Sequence, residues 1–526
     1  MGGSAGKERE YNVNIAESLR ASAARLPDKA AVVFQDSPVT YAELDQRADR
    51  AAAAFQRMGL VPGDRVALMA ANAPHFAEAL YGAWRAGLVV VPVNVLFTAE
   101  EVRHILSDSE ARAIVVTEAF AGALRGLREE LPGLEEVVVA GGSTAEVGTR
   151  RWRDLLDEDA APAAVDTAPD ALALLQYTSG TTGQPKGAML THANLQANHE
   201  QMAQTQLRVE ERDILLCVLP LFHIYALNVA LAFTLSRGAT VLLIERFDAL
   251  ATLQAVERHR ASIIIGAPPM YVAWVNTSGV DELDLQCVRF AISGAAPLPR
   301  HVLERFQDEL GITIWEGYGL SETSPVLTTV AMGEEVKPGS VGRPVPGVEL
   351  RLLDDKGNEA RPGDPGEVVV RGPNVFSGYW RQPEATREVL SEDGWFRTGD
   401  VGLLDGGDLY LVDRKKDLII VSGFNVYPRE VEEVLYRHPK IAEAAVIGTS
   451  HPYTGEAVKA VVVLRPGEEA TADEVTDFCR RFLARFKCPE VVEFAAELPH
   501  LPSGKVLRRA LRDQPQVQGT GHAEQA

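Results

Sequence analysis

Residues 177–187 combine hydroxyls, glycines and one lysine in a pattern suited to binding phosphate. They read Tyr-Thr-Ser-Gly-Thr-Thr-Gly-Gln-Pro-Lys-Gly and follow the apolar run 171–175, which predicts a strand that ends in a loop. Glycine lets the backbone approach a ligand, and loop N–H groups beside a lysine bind polyphosphate. The spacing is not that of a Walker A loop, and the rival interpretation is a flexible Gly/Thr surface loop. The candidate phosphate-binding residues are Thr178, Ser179, Gly180, Thr181, Thr182, Gly183 and Lys186.

Three further short motifs and one histidine could carry chemistry, although each also has a purely structural interpretation. Residues 318–323, Tyr-Gly-Leu-Ser-Glu-Thr, follow a predicted strand at 312–315. The tyrosine ring could stack on a base and the glutamate could bind a metal ion, or the motif could simply be a helix start. Trp-Phe-Arg-Thr-Gly-Asp at 395–400 ends in a carboxylate that can accept from ribose hydroxyls, or is a turn. Leu-Pro-Ser-Gly-Lys-Val at 501–506 carries one lysine on a Pro/Gly loop, where a solvated surface residue is the simpler interpretation. His223 lies in an apolar segment, where a lone histidine is more often a satisfied core residue than a catalyst.

Length, charge and cysteine usage limit the classes to which the chain can belong. It has 526 residues, enough for about two to four domains. Its formal net charge of −21 disfavours non-specific binding to nucleic acid, so a polyphosphate must be held by a few local cations. No apolar run approaches the ~18 residues that span a bilayer, and no apolar signal core is recognised, so we expect a cytoplasmic protein. Its four cysteines lack metal-ligand spacing, and no HExxH or Ser-His-Asp pattern supports zinc chemistry or covalent hydrolysis.

Apolar runs alternate with helix signals over the first four hundred residues, which predicts an α/β fold with helices on both faces of parallel sheets. Strands are predicted at 65–70, 89–93, 241–244 and 263–265. Capping-box spacing marks helix starts at Thr40, Thr98 and Thr471, the last helix being predicted to end at Arg485. From Asp413 onward, about 100 residues of mixed strand and helix signals predict a smaller α+β domain.

Seven segments stand in the order found in the adenylate-forming, or AMP-binding, superfamily, which the chain resembles over roughly residues 13–512. They are 177–187, 294–298, 318–322, 398–400, 413–417, Gly423 and 502–505. The superfamily includes acyl- and aryl-CoA synthetases, peptide-synthetase adenylation domains and beetle luciferases. The resemblance implies a large N-terminal domain of stacked doubly wound sheets, with a distorted β-barrel subdomain, and a small mobile α+β C-terminal domain. The expected boundaries are 13–412 for the N-terminal domain, 413–417 for the hinge, 418–512 for the C-terminal domain and 513–526 for a disordered tail.

The resemblance also implies roles by position for the nucleotide and for the reacting groups. The phosphate loop would bind the β- and γ-phosphates of ATP, and Lys505 would bridge the substrate carboxylate and the α-phosphate. Ala295, Ala296 and Tyr318 would hold adenine, and Asp400 and Arg414 would hold the ribose. The further residues expected to bind ATP or AMP are Gly294, Glu316, Gly317, Gly319 and Ser321. Glu322 and His223 would join Lys505 in the catalytic group, and Glu322 with Thr181 would hold Mg²⁺. The family usually has Thr where this chain has Ser321; the hydroxyl is kept.

The remaining implied roles concern the acid, coenzyme A and the domain movement. The acyl pocket would be lined by Tyr225, Val229, Gly294, Gly317, Pro325 and Val326. Ser422, Gly423 and Phe424 would line the coenzyme A tunnel, and Lys416 would be the hinge about which the small domain swings. A carboxylate is a poor electrophile, and its attack on the α-phosphate gives an acyl-adenylate from which AMP leaves readily when a thiol attacks. ATP and coenzyme A are thus the expected co-substrates. We expect catalysis to depend on positioning of the reacting groups and on neutralisation of the phosphate charge.

The sequence leaves the acid open between several classes. Peptide-synthetase domains place an Asp near the position of His223, so an amino acid substrate is disfavoured. No insertion typical of carrier-protein-loading ligases is recognised, which favours free coenzyme A as the acceptor over a carrier protein. The segments 316–323 and 425–432 look like those of medium- and long-chain fatty acid–CoA ligases, whereas 222–228 and 325–326 look like coumarate–CoA ligases. We favour a fatty acid, with an aryl or hydroxycinnamic acid as the alternative. A non-catalytic binder and a luciferase-like oxygenase stay as further alternatives, and monomer and homodimer are both open.

Overall fold

The computed structural model describes residues 14–124, 126–141, 149–156, 160–178, 185–333, 337–354, 356–414, 417–422, 424–451, 453–500 and 506–512. Two compact units divide the chain. The first contains residues 1–351, 369–398 and 407–409, and the second contains residues 352–368, 399–406 and 410–526. The predicted hinge at 413–417 includes residues outside the described ranges and stays a prediction, and the predicted tail at 513–526 lies outside them.

The helices and strands are numbered here in chain order. The strands up to residue 344 are β1 (Ala30–Phe34), β2 (Ser37–Thr40), β3 (Arg65–Met69), β4 (Val89–Pro92), β5 (Ala111–Thr117), β6 (Glu136–Ala140), β7 (Arg150–Arg151), β8 (Leu172–Thr178), β9 (Lys186–Thr191), β10 (Ile214–Cys217), β11 (Thr240–Leu243), β12 (Ile263–Gly266), β13 (Phe290–Ser293), β14 (Ile314–Gly319), β15 (Val326–Thr329) and β16 (Arg343–Pro344). The later strands are β17 (Glu349–Leu353), β18 (Gly366–Arg371), β19 (Phe396–Asp405), β20 (Asp408–Arg414), β21 (Ile419–Val421), β22 (Phe424–Val426), β23 (Ile441–His451), β24 (Gly455–Leu464) and β25 (Val491–Phe494). The helices are α1 (Glu17–Arg25), α2 (Tyr41–Arg57), α3 (Pro74–Arg85), α4 (Ala99–Ser109), α5 (Leu127–Glu130), α6 (Trp152–Leu156), α7 (His192–Ala203), α8 (Thr234–Ser236), α9 (Ala249–His259), α10 (Pro268–Asn276), α11 (Arg300–Leu310), α12 (Pro383–Val389), α13 (Pro428–Tyr436), α14 (Ala472–Arg480) and α15 (Arg508–Arg512). A π-helix spans Tyr225–Phe233, and 3₁₀ helices span Glu118–Leu124, Val280–Glu282, Ser321–Thr323, Val330–Met332 and Arg485–Lys487.

The first unit contains a seven-stranded sheet in the order β7-β6-β5-β3-β4-β8-β9. Strands β3, β4, β5 and β6 pair in parallel, and β9 closes one edge antiparallel to β8. The parallel strands are short, nearly continuous apolar runs such as Val-Val-Val-Pro in β4, as expected where helices cover both faces of a sheet. Their side chains pack with those of α4 in one buried cluster, which includes Val102, Ile105 and Leu106.

A nine-stranded sheet of the first unit has the order β16-β15-β14-β13-β12-β10-β11-β1-β2. Its central strands run parallel, and the antiparallel strands β15, β16 and β2 lie toward its two edges. Helices α9, α10 and α11 pack on this sheet through Leu253, Trp274 and Phe306, all of which are fully buried. The α/β fold expected from the alternation of strand and helix signals is confirmed.

The later strands form two smaller sheets. Strands β17 to β20 form a four-stranded sheet in sequence order, where the resemblance implies a distorted barrel. In the second unit, β22-β21-β24-β23 form a sheet in which β25 pairs in parallel with β24. Helices α13 and α14 contribute Val431, Leu435 and Val475 to the apolar core against this sheet. The expected small α+β unit is therefore confirmed.

Local signals at the helix starts are largely confirmed. Thr40 and Thr98 each form the reciprocal capping box with the Glu three residues later, and the Thr471 side chain accepts from the backbone N–H of Glu474. The predicted extension of the last of these helices to Arg485 is wrong, because α14 ends at Arg480. Beyond it, the N–H groups of Arg481 and Phe482 donate to carbonyls three residues earlier, as in a 3₁₀ turn. No helix in the described ranges is both long and apolar enough to cross a membrane.

Candidate active site

The candidate site lies at one edge of the nine-stranded sheet. Strands β10, β12, β13 and β14 run parallel, so their carboxyl ends share that edge. The segment that contains His223 follows β10, the turn at 294–297 follows β13, and Glu322 follows β14. Ligands of parallel α/β sheets bind outside the carboxyl ends of the strands. The topology therefore brings three of the predicted motifs to one edge.

The two ends of the predicted phosphate loop (residues 177–187) lie on paired strands. Strands β8 and β9 are antiparallel, and Thr178 pairs with Lys186 at the end of their ladder. The strand predicted at 171–175 extends further than its apolar run, since β8 reaches Thr178. Both ends of the loop are thus fixed by main-chain pairing. The residues between them that the sequence predicts to bind phosphate lie outside the described ranges: Ser179, Gly180, Thr181, Thr182 and Gly183.

The turn after β13 is held tightly against its neighbours. Ala295 has a φ of +72°, in the left-handed region that non-glycine residues seldom adopt. The backbone N–H of Leu298 donates to Oε1 of the buried Glu316 (3.2 Å), which ties the turn to β14. Gly294 lies against the ring of Tyr225, because a Cβ on Gly294 would be 3.1 Å from Cζ of that ring. These contacts fix the backbone of the predicted adenine-binding turn.

The motif at 318–323 begins inside a strand rather than after one. The strand predicted at 312–315 is β14, which runs on to Gly319 because it pairs with β13 on one side and β15 on the other. A Cβ at Gly319 would lie 1.8 Å from the carbonyl oxygen of Pro325, so this close approach requires glycine. Glu322 follows in a short 3₁₀ helix, and its side chain is buried. The sequence-predicted residues that lie along this edge are Gly294, Ala295, Ala296, Glu316, Gly317, Tyr318, Gly319, Ser321 and Glu322.

A tyrosine outside the predicted set connects two of the motifs. The hydroxyl of Tyr379 donates to Oε1 of Glu322 (2.9 Å), and the ammonium of Lys186 lies 5.3 Å from the centroid of the Tyr379 ring. Burial and the neighbouring Glu322 carboxylate raise the pKa of the Tyr379 hydroxyl well above its usual range, so it stays protonated and donates. Its place in the chain, 57 residues after Glu322, gave no signal of this contact.

The predicted acyl-pocket residues lie on the π-helix (Tyr225 and Val229), after β13 (Gly294), in β14 (Gly317) and on the segment that follows Glu322 (Pro325 and Val326). Val229 is buried one turn after Tyr225, on the same π-helix. Burial raises the pKa of the Tyr225 hydroxyl well above its usual range, and this hydroxyl donates to the carbonyl of Ile292 (3.4 Å). His223 is half-buried at the head of the π-helix, where its Nδ1 accepts from the backbone N–H of Tyr225 (3.4 Å). π-Helical turns are rare and occur often at functional sites.

A buried polar network, absent from the sequence predictions, joins the π-helix to the segment that carries Pro325 and Val326. The Asn228 amide donates to the carbonyl of Ser324 (2.6 Å), and its Oδ1 lies 2.9 Å from Nε2 of His199. Asn198 pairs with both backbone groups of Val326, at 2.9 and 3.2 Å. Burial lowers the pKa of His199 to about 4, so this imidazole is neutral at pH 7 and its Nε2–H can donate to Asn228. The network thereby ties α7 to the π-helix and to the segment with Pro325.

The second unit carries part of the predicted set. Asp400 is buried in β19, and Arg414 ends β20. Ser422 is exposed with a φ of +49°, and the exposed ring of Phe424 packs on Phe486 with centroids 5.0 Å apart. Lys416, Gly423 and Lys505 lie outside the described residues.

The cysteines take no part in the candidate site. Cys217, Cys479 and Cys488 are buried and Cys287 is half-buried, all as free thiols. Burial raises the pKa of Cys217 and of Cys479 to about 12, which leaves both as unreactive thiols. Within the described ranges, no group of three or more His, Cys, Asp and Glu side chains could hold a metal ion.

Comparison with known proteins identifies the family. The sequence model of the AMP-binding enzyme family matches residues 19–380, and that of the AMP-binding enzyme C-terminal domain matches residues 430–505. The chain belongs to the AMP-binding enzyme family. The resemblance inferred from seven ordered motifs is therefore confirmed.

Relatives of this AMP-binding enzyme extend over nearly its whole length. A long-chain-fatty-acid–CoA ligase of Yersinia pestis is 39% identical, over 97% of this chain and 96% of that protein. A feruloyl-CoA synthase of Amycolatopsis sp is 40% identical, over 92% of this chain and 96% of that protein. The crystal structure of an anthranilate–CoA ligase in complex with anthranoyl-AMP matches with a TM-score of 0.89 and 28% identity, covering 95% of this chain and 96% of that chain.

These matches establish the reaction class. The AMP-binding enzyme is an AMP-forming acid–CoA ligase, which joins a carboxylic acid to coenzyme A through an acyl-adenylate. ATP and coenzyme A are the co-substrates that this family implies. In the structure one side chain, Tyr379, contacts both Lys186 on the β8–β9 hairpin and the buried Glu322 carboxylate.

Proposed function

We propose that this ligase activates a medium- or long-chain fatty acid. The observation that carries the proposal is the apolar character of the π-helix: of its residues Tyr225–Phe233, Asn228 alone has an amide or charged side chain, and that amide is engaged by His199 and Ser324. An alkyl chain has no group that requires a hydrogen-bond partner, whereas a phenolic hydroxyl buried beside the π-helix would require one. Fatty acid–CoA ligases at 37–39% identity over 95–97% of the chain support the same choice.

A hydroxycinnamic acid is the second candidate. The feruloyl-CoA synthase of Amycolatopsis sp is as similar in sequence, at 40% identity. The Tyr225 hydroxyl near Gly294 could then accept a hydrogen bond from an aryl substituent, since it donates only to Ile292 in the contacts described above. The two candidates differ in the polar group that they carry into the acyl pocket, and a substrate screen separates them.

In the first half-reaction, the chain's own groups orient the nucleotide and neutralise charge. Lys186 and the hydroxyls from Thr178 to Thr182 hold the departing pyrophosphate, while Lys505 aligns the acid's carboxylate with the α-phosphate. The turn at 294–297 and Tyr318 hold adenine, and Asp400 and Arg414 hold the ribose. A carboxylate oxygen attacks the α-phosphorus and the bond to the β-phosphate bridging oxygen breaks, which requires positioning rather than a protein nucleophile.

The residues at the sheet edge suit a bound Mg²⁺. Magnesium on a nucleotide takes one or two carboxylates together with phosphate oxygens, and Glu322 is a buried carboxylate that carries a hydrogen bond from Tyr379. Glu322, with Thr181, would hold the ion. The ion would supply positive charge to the phosphate oxygens as pyrophosphate departs.

In the second half-reaction, the thiol of coenzyme A attacks the acyl carbon, and AMP leaves with the oxygen that the carboxylate contributed. Ser422, Gly423 and Phe424 line the approach for the pantetheine arm, and a side chain at Gly423 would obstruct it. Lys416 serves as the hinge between the two half-reactions, which place different groups beside the acyl-adenylate. No protein cysteine is needed, because coenzyme A brings its own sulfur.

A pyrophosphate-release screen tests the proposed substrate. The purified chain is assayed with ATP, Mg²⁺ and either C4–C18 fatty acids, benzoates or hydroxycinnamates, with and without coenzyme A. We expect the highest kcat/KM for a C8–C18 fatty acid, with acyl-CoA formed only when coenzyme A is present. A maximum for ferulate or coumarate would replace the proposal with the second candidate, and pyrophosphate release that no acid stimulates would refute both.

A further inference from the structure

Residues 377–380 belong to none of the predicted motifs. They pair with β9 and so extend the sheet that contains the β8–β9 hairpin. The backbone N–H of Trp380 donates to the carbonyl of Gly187 (2.8 Å), and Ala188 pairs with Tyr379 in an antiparallel bridge. Residues 377–380 therefore run along the edge of β9 that faces away from β8. This main-chain pairing fixes the position of Tyr379 relative to the end of the phosphate loop.

The register of this pairing places a tyrosine ring beside the loop's lysine. Directly opposed residues of an antiparallel pair point to the same face, and so do residues two apart along a strand. Tyr379 thus shares a face with Ala188 and with Lys186, and Ala188 between them carries only a methyl group. The Lys186 ammonium lies 5.3 Å from the centre of the Tyr379 ring, within the range of a cation–π contact.

Two hydrogen bonds join the neighbourhood of this segment to Glu322. The Tyr379 hydroxyl donates to Oε1 (2.9 Å), and the backbone N–H of Phe376 donates to the Glu322 carbonyl (2.8 Å). The rings of Phe376 and Tyr379 meet edge to face with centroids 5.0 Å apart. The backbone N–H of Tyr379 in turn donates to Oγ1 of Thr386 (2.9 Å), on α12. The side chain that reaches Glu322 is therefore itself held in place.

We propose that Tyr379 is a positioning residue for the adenylation step: its hydroxyl orients the Glu322 carboxylate toward the metal–nucleotide complex, and its ring holds the Lys186 ammonium at the mouth of the phosphate loop. The inference rests on the proposed roles of Glu322 in binding Mg²⁺ and of Lys186 in binding phosphate. It adds a residue that no motif contained, and it couples two motifs 136 positions apart in the sequence.

The chemistry of both contacts suits this role. A carboxylate has about four lone-pair sites, so accepting one hydrogen bond fixes its orientation and leaves capacity for a cation. An ammonium over a ring face keeps N–H groups directed away from the ring, where phosphate oxygens can accept from them. A tyrosine supplies both contacts at once, which neither phenylalanine nor serine can do.

Binding of Mn²⁺·ATP to the protein, measured by calorimetry with Mn²⁺ in excess over ATP, tests the hydroxyl. The purified full chain is titrated as wild type, Tyr379→Phe, Glu322→Gln and the double variant. We expect Tyr379→Phe to weaken Mn²⁺·ATP binding about tenfold, as is typical when a hydrogen-bond partner of a metal ligand is lost. In the Glu322→Gln background, the same change should have less than a twofold effect, because the two residues act on one ligand.

Tyr41→Phe is the matched control. The hydroxyl of Tyr41 is also held by a hydrogen bond, to the carbonyl of Ala239 (2.6 Å), but Tyr41 is buried at the start of α2, outside the candidate site. Its removal should lower the melting temperature without altering Mn²⁺·ATP binding. If wild type and Tyr379→Phe bound Mn²⁺·ATP equally, the role of Tyr379 would be wrong and the assignment of Glu322 would stand. A wild type that takes up no Mn²⁺ with ATP would overturn the assignment of Glu322 as well.

A second pair of variants tests the ring. Metal-free ATP binding, measured by calorimetry in chelator, reports on Lys186 without the ion. Tyr379→Phe keeps the ring and should bind metal-free ATP as the wild type does, whereas Tyr379→Leu should bind it about two- to fivefold more weakly, the size of a cation–π contact. Equal losses in Tyr379→Phe and Tyr379→Leu would contradict the role of the ring, as would no loss in either.

Discussion

Gly319 is the residue of the candidate site that tolerates the least change. A Cβ at this position would lie 1.8 Å from the carbonyl oxygen of Pro325, and a backbone atom cannot move aside as a flexible side chain can. We expect Gly319→Ala to displace the segment that carries Glu322, to cost about 1–3 kcal/mol of stability, and to reduce pyrophosphate release at least tenfold. Thermal unfolding and the pyrophosphate assay measure the two effects.

Gly133→Ala provides the control for this substitution. Its Cβ would meet no heavy atom within 4 Å, and its residue is exposed in a turn. We expect its melting temperature and activity to equal those of the wild type. A Gly319→Ala protein that behaves like Gly133→Ala would show that the approach of β14 to Pro325 is less tight than 1.8 Å implies.

Residues with reactive groups inside short motifs could be predicted from the sequence, whereas their supports could not. Glu322 was predicted from a carboxylate within a short glycine-containing motif, and the structure places it, buried, at the carboxyl edge of a parallel sheet. Tyr379 and Asn198 were missed because their contacts join segments 57 and 128 positions apart. Such contacts depend on the strand order, which no spacing in the sequence encodes.

The π-helix Tyr225–Phe233 would form one wall of the acyl pocket that we propose. Val229 is one turn beyond Tyr225 and is buried. If Val229 lines the pocket as proposed, a larger side chain there would shorten the space for the substrate chain. We expect Val229→Phe to shift the preferred acid toward shorter chains, with kcat/KM for C16 reduced at least tenfold and that for C6 or C8 retained. Chain-length profiles of pyrophosphate release measure the shift.

Val61→Phe adds the same bulk outside the pocket, because Val61 is 56% exposed. Its chain-length profile should match that of the wild type. If Val229→Phe reduced the rates for C6 and C16 by the same factor, Val229 would not limit the pocket, and the assignment of the π-helix as its wall would be wrong.

Helix starts are encoded locally, but the function of a helix face is not. The pairs Thr40 with Glu43 and Thr98 with Glu101 predict two starts, and the structure confirms both. In contrast, α7 buries His199 and other polar side chains, so apolar periodicity carries little information about its buried face. The π-helix likewise reads as an apolar run, and nothing in that run distinguishes five-residue from four-residue hydrogen bonding.

The whole molecule should lose stability in weak acid through its buried histidines. Burial lowers the pKa of His192 and His199 to about 4, below the ordinary value near 6.5, so the unfolded chain binds protons that the folded chain does not. Stability is therefore complete above pH 6.5 and falls progressively as the pH drops toward 4, by roughly 2–4 kcal/mol for each residue at the lower limit. Urea unfolding midpoints at pH 7.5, 6.0 and 5.0 measure this loss.

His199→Gln isolates one contribution to this pH dependence. Glutamine keeps an N–H donor for Oδ1 of Asn228 but does not titrate, so the variant's midpoint should fall less than that of the wild type between pH 7.5 and 5.0. A pH dependence identical to the wild type would contradict a neutral His199 in the folded protein.

The whole enzyme activates its acid by joining a carboxylate oxygen to the α-phosphorus of ATP. The most direct measurement uses a C12 or C16 fatty acid with ¹⁸O in both carboxylate positions, together with ATP, Mg²⁺ and coenzyme A, and mass analysis of the products. Attack by the carboxylate followed by attack of the thiol at the acyl carbon leaves one labelled oxygen on AMP, so AMP with one ¹⁸O should appear in equal amount to acyl-CoA. Label in inorganic phosphate or pyrophosphate, or unlabelled AMP accompanying acyl-CoA, would show that the acid is not activated as an acyl-adenylate.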